Sequence, residues 1–322
     1  MLIKALRAVL LLLMTLTVLT AGAGEPPKAE VQKLTVMLDW FVNPDHAALV
    51  VAQEKGFFAA QGLTVELQTP ADPNDPPKLA AAGKVDLAVS YQPQLHIHVN
   101  AGLPVKRIGT LVATPLNSLV VLKNGPVKTL ADLKGRKIGY SVGGFEEALL
   151  KTLLAKANLK LEDVTLINVN FSLSPALLSG QVDAVIGAFR NFELNQMDLA
   201  KKPGRAFYPE EEGVPPYDEL VLVANRDQLD APRFRRFLTA LEQAMLYILN
   251  HPDEAWQAFI AQHKDLNDEL NRRAWRDTLP RLARRPAALD EASYRRFAQF
   301  LAKQGVITVV LPVSNYAVQL LD

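Results

Sequence analysis

The chain has 322 residues, 49% of them hydrophobic and 21% charged, with 35 basic side chains against 34 acidic ones and no cysteine. That length predicts about two domains and a core that closes without covalent staples, and the absence of thiols excludes disulfides and thiolate metal sites. A formal charge of +1 lacks the basic excess that nucleic acid or an anionic membrane surface attracts, which leaves a small molecule as the expected partner and nucleic acid as an unexpected one.

In chain order, the residues 1–23 come first. Lys4 and Arg7 precede an apolar run from Ala8 to Leu19, and Ala21-Gly22-Ala23 follows; this is the layout of a cleavable export signal. The run is twelve residues long, whereas a membrane-spanning helix needs about 20, and no cysteine follows it to carry a lipid anchor. Removal of residues 1–23 takes away two positive charges and leaves 33 basic against 34 acidic. The expected location is therefore the periplasm. Ala21 to Gln32, rich in Gly, Pro and polar residues, reads as a flexible leader.

From Lys33 onward, extended apolar runs alternate with helical patterns, which predicts class α/β with parallel sheet covered by helices. Predicted strands are Leu34 to Leu38, Thr64 to Gln68, Asp86 to Ser90, Val105 to Val112, Lys137 to Tyr140, Val164 to Asn168 and Ala184 to Ala188. Helical spacing runs from His46 to Ala60 with a stop near Gly62, and from Gly144 to Ala157 with a stop at Asn158. A weak repeat links Leu79 to Ser90 with Leu177 to Gly187: each is a helix end, a glycine, then Val-Asp opening a buried strand. A second pair, Ser118 to Asn124 and Glu219 to Asn225, reads as two strands crossing between lobes. These features predict a first lobe from residues 33–113 that returns at 222–322, and a second lobe from residues 114–221, with a ligand cleft between them.

In open α/β sheets ligands lie beyond the carboxyl ends of the strands, and that rule selects four loops. The first, Asp39 to His46, offers Trp40 to stack on a planar ligand and Asp39 or Asn43 to read its polar edge, with His46 opening the next helix; Trp40 or Phe41 as core and Asp45 as a helix cap is the alternative. The second, Ser90 to Gln94, brings Tyr91 and Gln92, with Pro93 opening a helix. His96 and His98 in that helix point in different directions and do not read as a metal pair. The third, Ser141 to Glu147, supplies Gly143, Gly144 and Phe145; Glu146 and Glu147 fit a first helical turn and oppose a phosphate, and no G-K-[ST] follows. The fourth, Gly187 to Glu193, sets Phe189, Asn191 and Glu193 together. A carboxylate beside aromatic faces suits a flat nitrogen heterocycle whose N–C–NH2 edge donates paired hydrogen bonds, each charge-assisted bond being worth roughly 1.5–3 kcal/mol; an Arg190–Glu193 surface ion pair is the other reading. Tyr217, just before the second crossing strand, is expected on the hinge side of the cleft.

At these residues the chain resembles a known family. VMLDWFVNPDHAALVVAQEKGFFAAQGLTVEL is similar to the opening of periplasmic substrate-binding proteins for thiamine-precursor pyrimidines. ADLKGRKIGYS and GQVDAVIGAF are typical of the wider superfamily, which includes fungal pyrimidine synthases and binders of alkanesulfonates, nitrate and taurine. The resemblance implies a type II periplasmic binding protein fold and delivery of a formylated or hydroxymethyl aminopyrimidine to an ABC permease and its ATPase. It supports Asp39, Trp40, Asn43 and His46 by motif, and Tyr91, Phe145 and Glu193 by loop position.

Two hypotheses from different classes follow. A binding protein that traps the heterocycle by lobe closure needs no cofactor and no catalytic residue. An enzyme of the synthase branch would use His46 as a source of ring atoms, but that branch is iron dependent and carries a cysteine-rich motif that this chain lacks. Lys55, near the end of the first helix, reads as a solvated side chain rather than a Schiff-base lysine for pyridoxal phosphate. Riboflavin or a sulfonate are alternative ligands, the sulfonate being opposed by Glu146, Glu147 and Glu193.

Overall fold

The computed structural model describes residues 31–321; the expected export signal and most of the leader lie outside the described residues. Ten strands are present: β1 (Gln32–Met37), β2 (Leu63–Gln68), β3 (Leu87–Ser90), β4 (Val105–Val112), β5 (Asn117–Leu122), β6 (Lys137–Tyr140), β7 (Thr165–Asn168), β8 (Ala184–Phe189), β9 (Gly204–Phe207) and β10 (Leu220–Asn225). Eleven α-helices accompany them: α1 (Ala47–Glu54), α2 (Phe57–Ala60), α3 (Pro76–Ala81), α4 (Gln92–Asn100), α5 (Phe145–Lys156), α6 (Leu173–Ser179), α7 (Glu193–Leu199), α8 (Ala231–Asn250), α9 (Pro252–Ala261), α10 (Glu269–Thr278) and α11 (Glu291–Lys303). No described helix is long and apolar enough to cross a membrane.

The strands form two five-stranded sheets, in the orders β2-β1-β3-β10-β4 and β7-β6-β8-β5-β9, one to each α/β lobe. Position by position the sheets correspond. β1 pairs in parallel with β2 and β3, as β6 does with β7 and β8, while β10 and β5 are the strands that join each parallel set in antiparallel sense.

The sequence repeat falls on β3 and β8, and its Val-Asp has a physical reason. Asp86 accepts the N–H of Thr35 on β1 at 2.7 Å, and Asp183 accepts the N–H of Lys137 on β6 at 2.9 Å. In each lobe one carboxylate therefore pins the neighbouring parallel strand, in the middle of β1 and at the start of β6. The preceding glycines, Gly83 and Gly180, take φ of +64° and +79°, the left-handed turn that ends a helix at little cost only for glycine.

The first predicted helix is interrupted. The structure has a 3-10 turn at Pro44–His46, then α1, then Gly56 at φ +73° before α2. The leader also ends one residue early, since β1 begins at Gln32. Four C-terminal helices, α8 to α11, follow β10. In α8, Phe234, Phe237, Leu238, Leu241, Met245 and Ile248 share one buried face at helical spacing, and Phe237 stacks on Phe58 with centroids 5.1 Å apart.

Chain crossings occur twice, at 113–116 into β5 and at 208–219 into β10. Glu219 ties them together: fully buried, its Oε2 accepts the N–H groups of Leu116 at 2.5 Å and Asn117 at 2.9 Å. Replacing it strands two buried donors, each worth about 1–3 kcal/mol when unpaired. Glu219→Ala is expected to cost at least about 2 kcal/mol in urea unfolding, and Glu219→Gln, which keeps a carbonyl acceptor, clearly less. Equal losses in the two variants would remove the hydrogen-bond account.

Candidate functional site

A partly open cavity lies between the lobes, walled by Asp39, Trp40, Asn43, Asp45, Tyr91, Glu146, Leu173, Gly187, Phe189, Phe192 and Glu193. Every wall residue sits at the carboxyl end of a parallel strand or in the loop or first helical turn beyond it. Backbone geometry brings them there, because all the parallel strands of each sheet end on the cleft side.

On the first-lobe side, Asp39 is buried and uses both carboxylate oxygens. Oδ2 accepts the Tyr91 hydroxyl at 2.8 Å, and Oδ1 lies 2.8 Å from His46 Nε2. His46 Nδ1 faces the backbone N–H of Asn43 at 3.3 Å. An N–H pointing at Nδ1 makes that nitrogen the acceptor, so Nε2 carries the proton and donates to Asp39. The Tyr91 phenol is held protonated, its pKa pushed well up by burial and then by the neighbouring Asp39 carboxylate. Asn43 lines the cavity but caps the 3-10 turn, its Oδ1 accepting from Asp45 N at 2.8 Å and its Nδ2 donating to Phe41 O at 3.0 Å. Trp40 reaches across and meets Phe171 edge-on, centroids 4.6 Å apart.

The second-lobe side carries two further carboxyls. Glu146 accepts the Ser141 N–H at 2.8 Å, and Glu193 accepts the Phe189 N–H at 2.7 Å. Glu146 lies so close to β8 that a Cβ on Gly187 would stand 2.3 Å from its Oε1, and Gly187 has φ +99°. Only glycine admits both. Burial raises Glu146 well above the usual carboxylate range, against the pull of its backbone donors. Burial likewise pushes Glu193 up to about 7 and Asp45 up to about 6. With four acidic groups and no Lys or Arg on the wall, the cavity repels anions and offers acceptors to N–H donors.

Of the expected site residues, Asp39, Trp40, Asn43, Tyr91, Glu146, Phe189 and Glu193 stand on the cavity wall. Five expected residues do not. His46 is fully buried behind Asp39, which it orients. Phe145 is spent on the interior, stacked on Tyr91 with centroids 4.9 Å apart. Gly143 instead donates its N–H to Asn74 Oδ1 of the other lobe at 2.9 Å. Asn191 lies beneath the wall, donating to Asp45 Oδ1 at 2.7 Å. Tyr217 packs on Phe297, centroids 5.3 Å apart, in a separate depression that it lines with Asp218 and Tyr294. The expected Arg190–Glu193 alternative also gives way, because Arg190 pairs with Glu210 at 2.5 Å.

Sequence reasoning missed Leu173 and treated Asp45 only as a cap. Leu173 opens the helix after β7, so its strand-end position was the available signal; Asp45 could be found only through its partners, Asn191 and Thr278, far off in the chain. His96 and His98 lie away from the cavity. His96 is buried against Phe297 and Tyr316, and burial lowers it to about 3. Among the described residues no group of three or more His, Cys, Asp or Glu side chains could hold a metal ion.

The family model described as NMT1/THI5 like matches residues 43–255. The chain belongs to the NMT1/THI5-like family. It is 57% identical over 295 residues to a Haemophilus influenzae protein named for thiamine biosynthesis, covering 91% of this chain and 94% of that one. It is 34% identical over 241 residues to the formylaminopyrimidine-binding protein of Halalkalibacterium halodurans, covering 74% and 73%. A 4-amino-5-hydroxymethyl-2-methylpyrimidine phosphate synthase of Saccharomyces cerevisiae is 28% identical over 251 residues, 74% of each chain. Among solved structures, the alkanesulfonate-binding protein of Xanthomonas axonopodis superposes with a TM-score of 0.71 at 17% identity, covering 90% of this chain and 99% of that one. That likeness establishes the periplasmic binding protein fold.

Two outcomes test the site's physics. Gly187→Ala is expected to cost about 1–3 kcal/mol through overpacking and a strained φ, and less in a Glu146→Ala background; an undiminished cost there would mean that Glu146 is not what the new methyl meets. Asp45, Glu146 and Glu193 all bind their protons more tightly folded than unfolded. Their stabilisation is complete below the unfolded carboxylate range and is lost as pH rises through about 6 for Asp45 and about 7 for Glu193. Glu219, raised to about 7, acts in the same sense, and together the carboxyls outweigh the buried His96 and His98, which favour the higher pH. The protein without ligand should therefore melt higher at pH 5 than at pH 8, and a higher melting temperature at pH 8 would contradict these assignments.

Proposed function

We propose that the chain is the extracytoplasmic solute-binding component of an ABC importer, taking up an aminopyrimidine of the thiamine-precursor type, formylated or hydroxymethylated. One observation carries this reading: the cavity wall combines Trp40, Tyr91, Phe189 and Phe192 with four carboxyl groups and no cationic side chain. A flat heterocycle stacks on such rings, and an amine beside a ring nitrogen donates to Glu193. The same composition opposes a sulfonate, whose anion would meet four carboxyl groups and no cationic side chain. The formylaminopyrimidine-binding relative supports the ligand class.

In this proposal residues 33–113 and 222–322 form one lobe and residues 114–221 the other, and the ligand holds them closed. The closed surface is what a membrane permease and its ATPase recognise, and residues 1–23 direct export to the periplasm. No cofactor enters, and no residue is catalytic.

The fungal relatives are named as synthases, which makes His46 the residue that separates the two classes. Its ring is fully buried, with Nε2 engaged by Asp39 and Nδ1 by Asn43. A histidine consumed as a reactant has to meet the other reactant, and here Asp39 stands between His46 and the cavity. Lys55 sits with its ammonium 4.7 Å from the centre of the Tyr247 ring on the outside of α1, away from the cavity wall.

Thermal unfolding with formylaminopyrimidine, hydroxymethylpyrimidine, thiamine, riboflavin or taurine tests the proposal. A pyrimidine at a hundred times its Kd should add about 2.7 kcal/mol, and the shift should disappear in Trp40→Ala and shrink strongly in Glu193→Gln. A shift with riboflavin or taurine alone would discard the ligand class.

A further inference from the structure

Asp45 stands where three separate parts of the chain meet. It belongs to the turn that follows β1 and lines the cavity from the first-lobe side. Its Oδ1 accepts from Asn191 Nδ2 at 2.7 Å and from the Thr278 hydroxyl at 3.0 Å. Asn191 lies in the loop from β8 to α7, in the second lobe. Thr278 ends α10, which packs both on the Pro44–His46 turn and on α7. Asn191 Nδ2 also lies 2.7 Å from Thr278 Oγ1, so the three side chains close a ring across the cleft. Asn191 and Thr278 are both buried and neither reaches the cavity wall. Among the described residues, these two are the donors to the Asp45 carboxyl, and both use Oδ1.

We propose that Asp45 is a positioning residue that couples occupancy of the cavity to lobe closure: the bonds from Asn191 and Thr278 to Oδ1 hold the carboxyl so that Oδ2 accepts a ligand N–H when the lobes are closed. The inference rests on the cavity binding a heterocycle with N–H donors. Its physical basis is that hydrogen bonds to an ionised carboxylate are roughly twice as strong as those to a neutral one. Asp45, raised by burial to about 6, is mostly ionised at neutral pH, and a third donor adds to the compensation of its buried charge. The groups facing Asp45 are His46 and Asp39 from its own loop, Asn191 and Glu193 from the second lobe, and Thr278 from α10. Only Asn191 among them bonds Asp45 across the cleft.

The test uses Asn191→Ala and Thr278→Val, which leave the cavity wall intact, with Thr278→Ser as the conservative variant. Titration calorimetry and stopped-flow release with formylaminopyrimidine should show about a tenfold or greater loss of affinity in the first two, mostly as faster release, and near-normal binding in Thr278→Ser. Asp45→Asn/Asn191→Ala should bind no more weakly than Asp45→Asn alone, as for residues acting as a unit. Unchanged affinity and release in Asn191→Ala, or losses that add in full in the double variant, would overturn the coupling. If the unaltered protein binds no pyrimidine, the binding reading itself falls. Small-angle scattering without ligand then decides the latch, Asn191→Ala and Thr278→Val being expected to expand relative to the unaltered protein and equal radii of gyration overturning it.

Discussion

Four carboxyl groups crowd into one cleft without a cation on its wall; side chains hold Asp39 and Asp45, and backbone N–H groups hold Glu146 and Glu193, as they hold Glu219 at the chain crossing. Ser141 N serves Glu146, Phe189 N serves Glu193, and Leu116 and Asn117 N serve Glu219. Such donors are available at the two ends of strands, where an N–H group has no ladder partner of its own. The cleft's chemistry thus depends on the sheet topology. Moving any of these glutamates by one residue would leave a buried acid without donors and a buried N–H without an acceptor, each of which is costly.

The consequence is a cavity that is acidic and yet protonated in part. Burial drives Asp45 and Glu193 up to about 6 and about 7, so their charge is open to influence by whatever enters. A molecule bringing N–H donors compensates the desolvation that burial imposes, and one bringing negative charge adds to it. That response is set by side chains rather than by the architecture. Pinning the first-lobe end is the Asp39–His46–Tyr91 triad, in which a buried histidine orients a carboxylate.

The internal symmetry explains how such a site arises from a simple plan. β1, β2 and β3 match β6, β7 and β8, and the Val-Asp of each copy fastens a neighbouring strand. The carboxyl ends of both copies are left free to carry loops. At those loops the symmetry is abandoned: one lobe contributes Trp40 and Tyr91, the other Glu146 and Glu193, and the C-terminal helix α10 reaches to both through Thr278.

What was legible in the sequence was whatever depends on neighbours along the chain. Alternating apolar runs, glycine stops and the repeat specify strands, helices and two similar lobes, and the strand-end rule places Asp39, Trp40, Tyr91, Phe189 and Glu193 in the right loops. Which way a side chain turns within a loop depends on partners far away in the chain. Only the tertiary structure put His46 behind Asp39, buried Phe145 against Tyr91, and removed Tyr217 to another depression. The same holds for Asp45, whose partners Asn191 and Thr278 are 146 and 233 residues away. Local spacing encodes periodicity, while hydrogen bonds between buried polar groups are satisfied in three dimensions, and that requirement chose the residues that face the cavity.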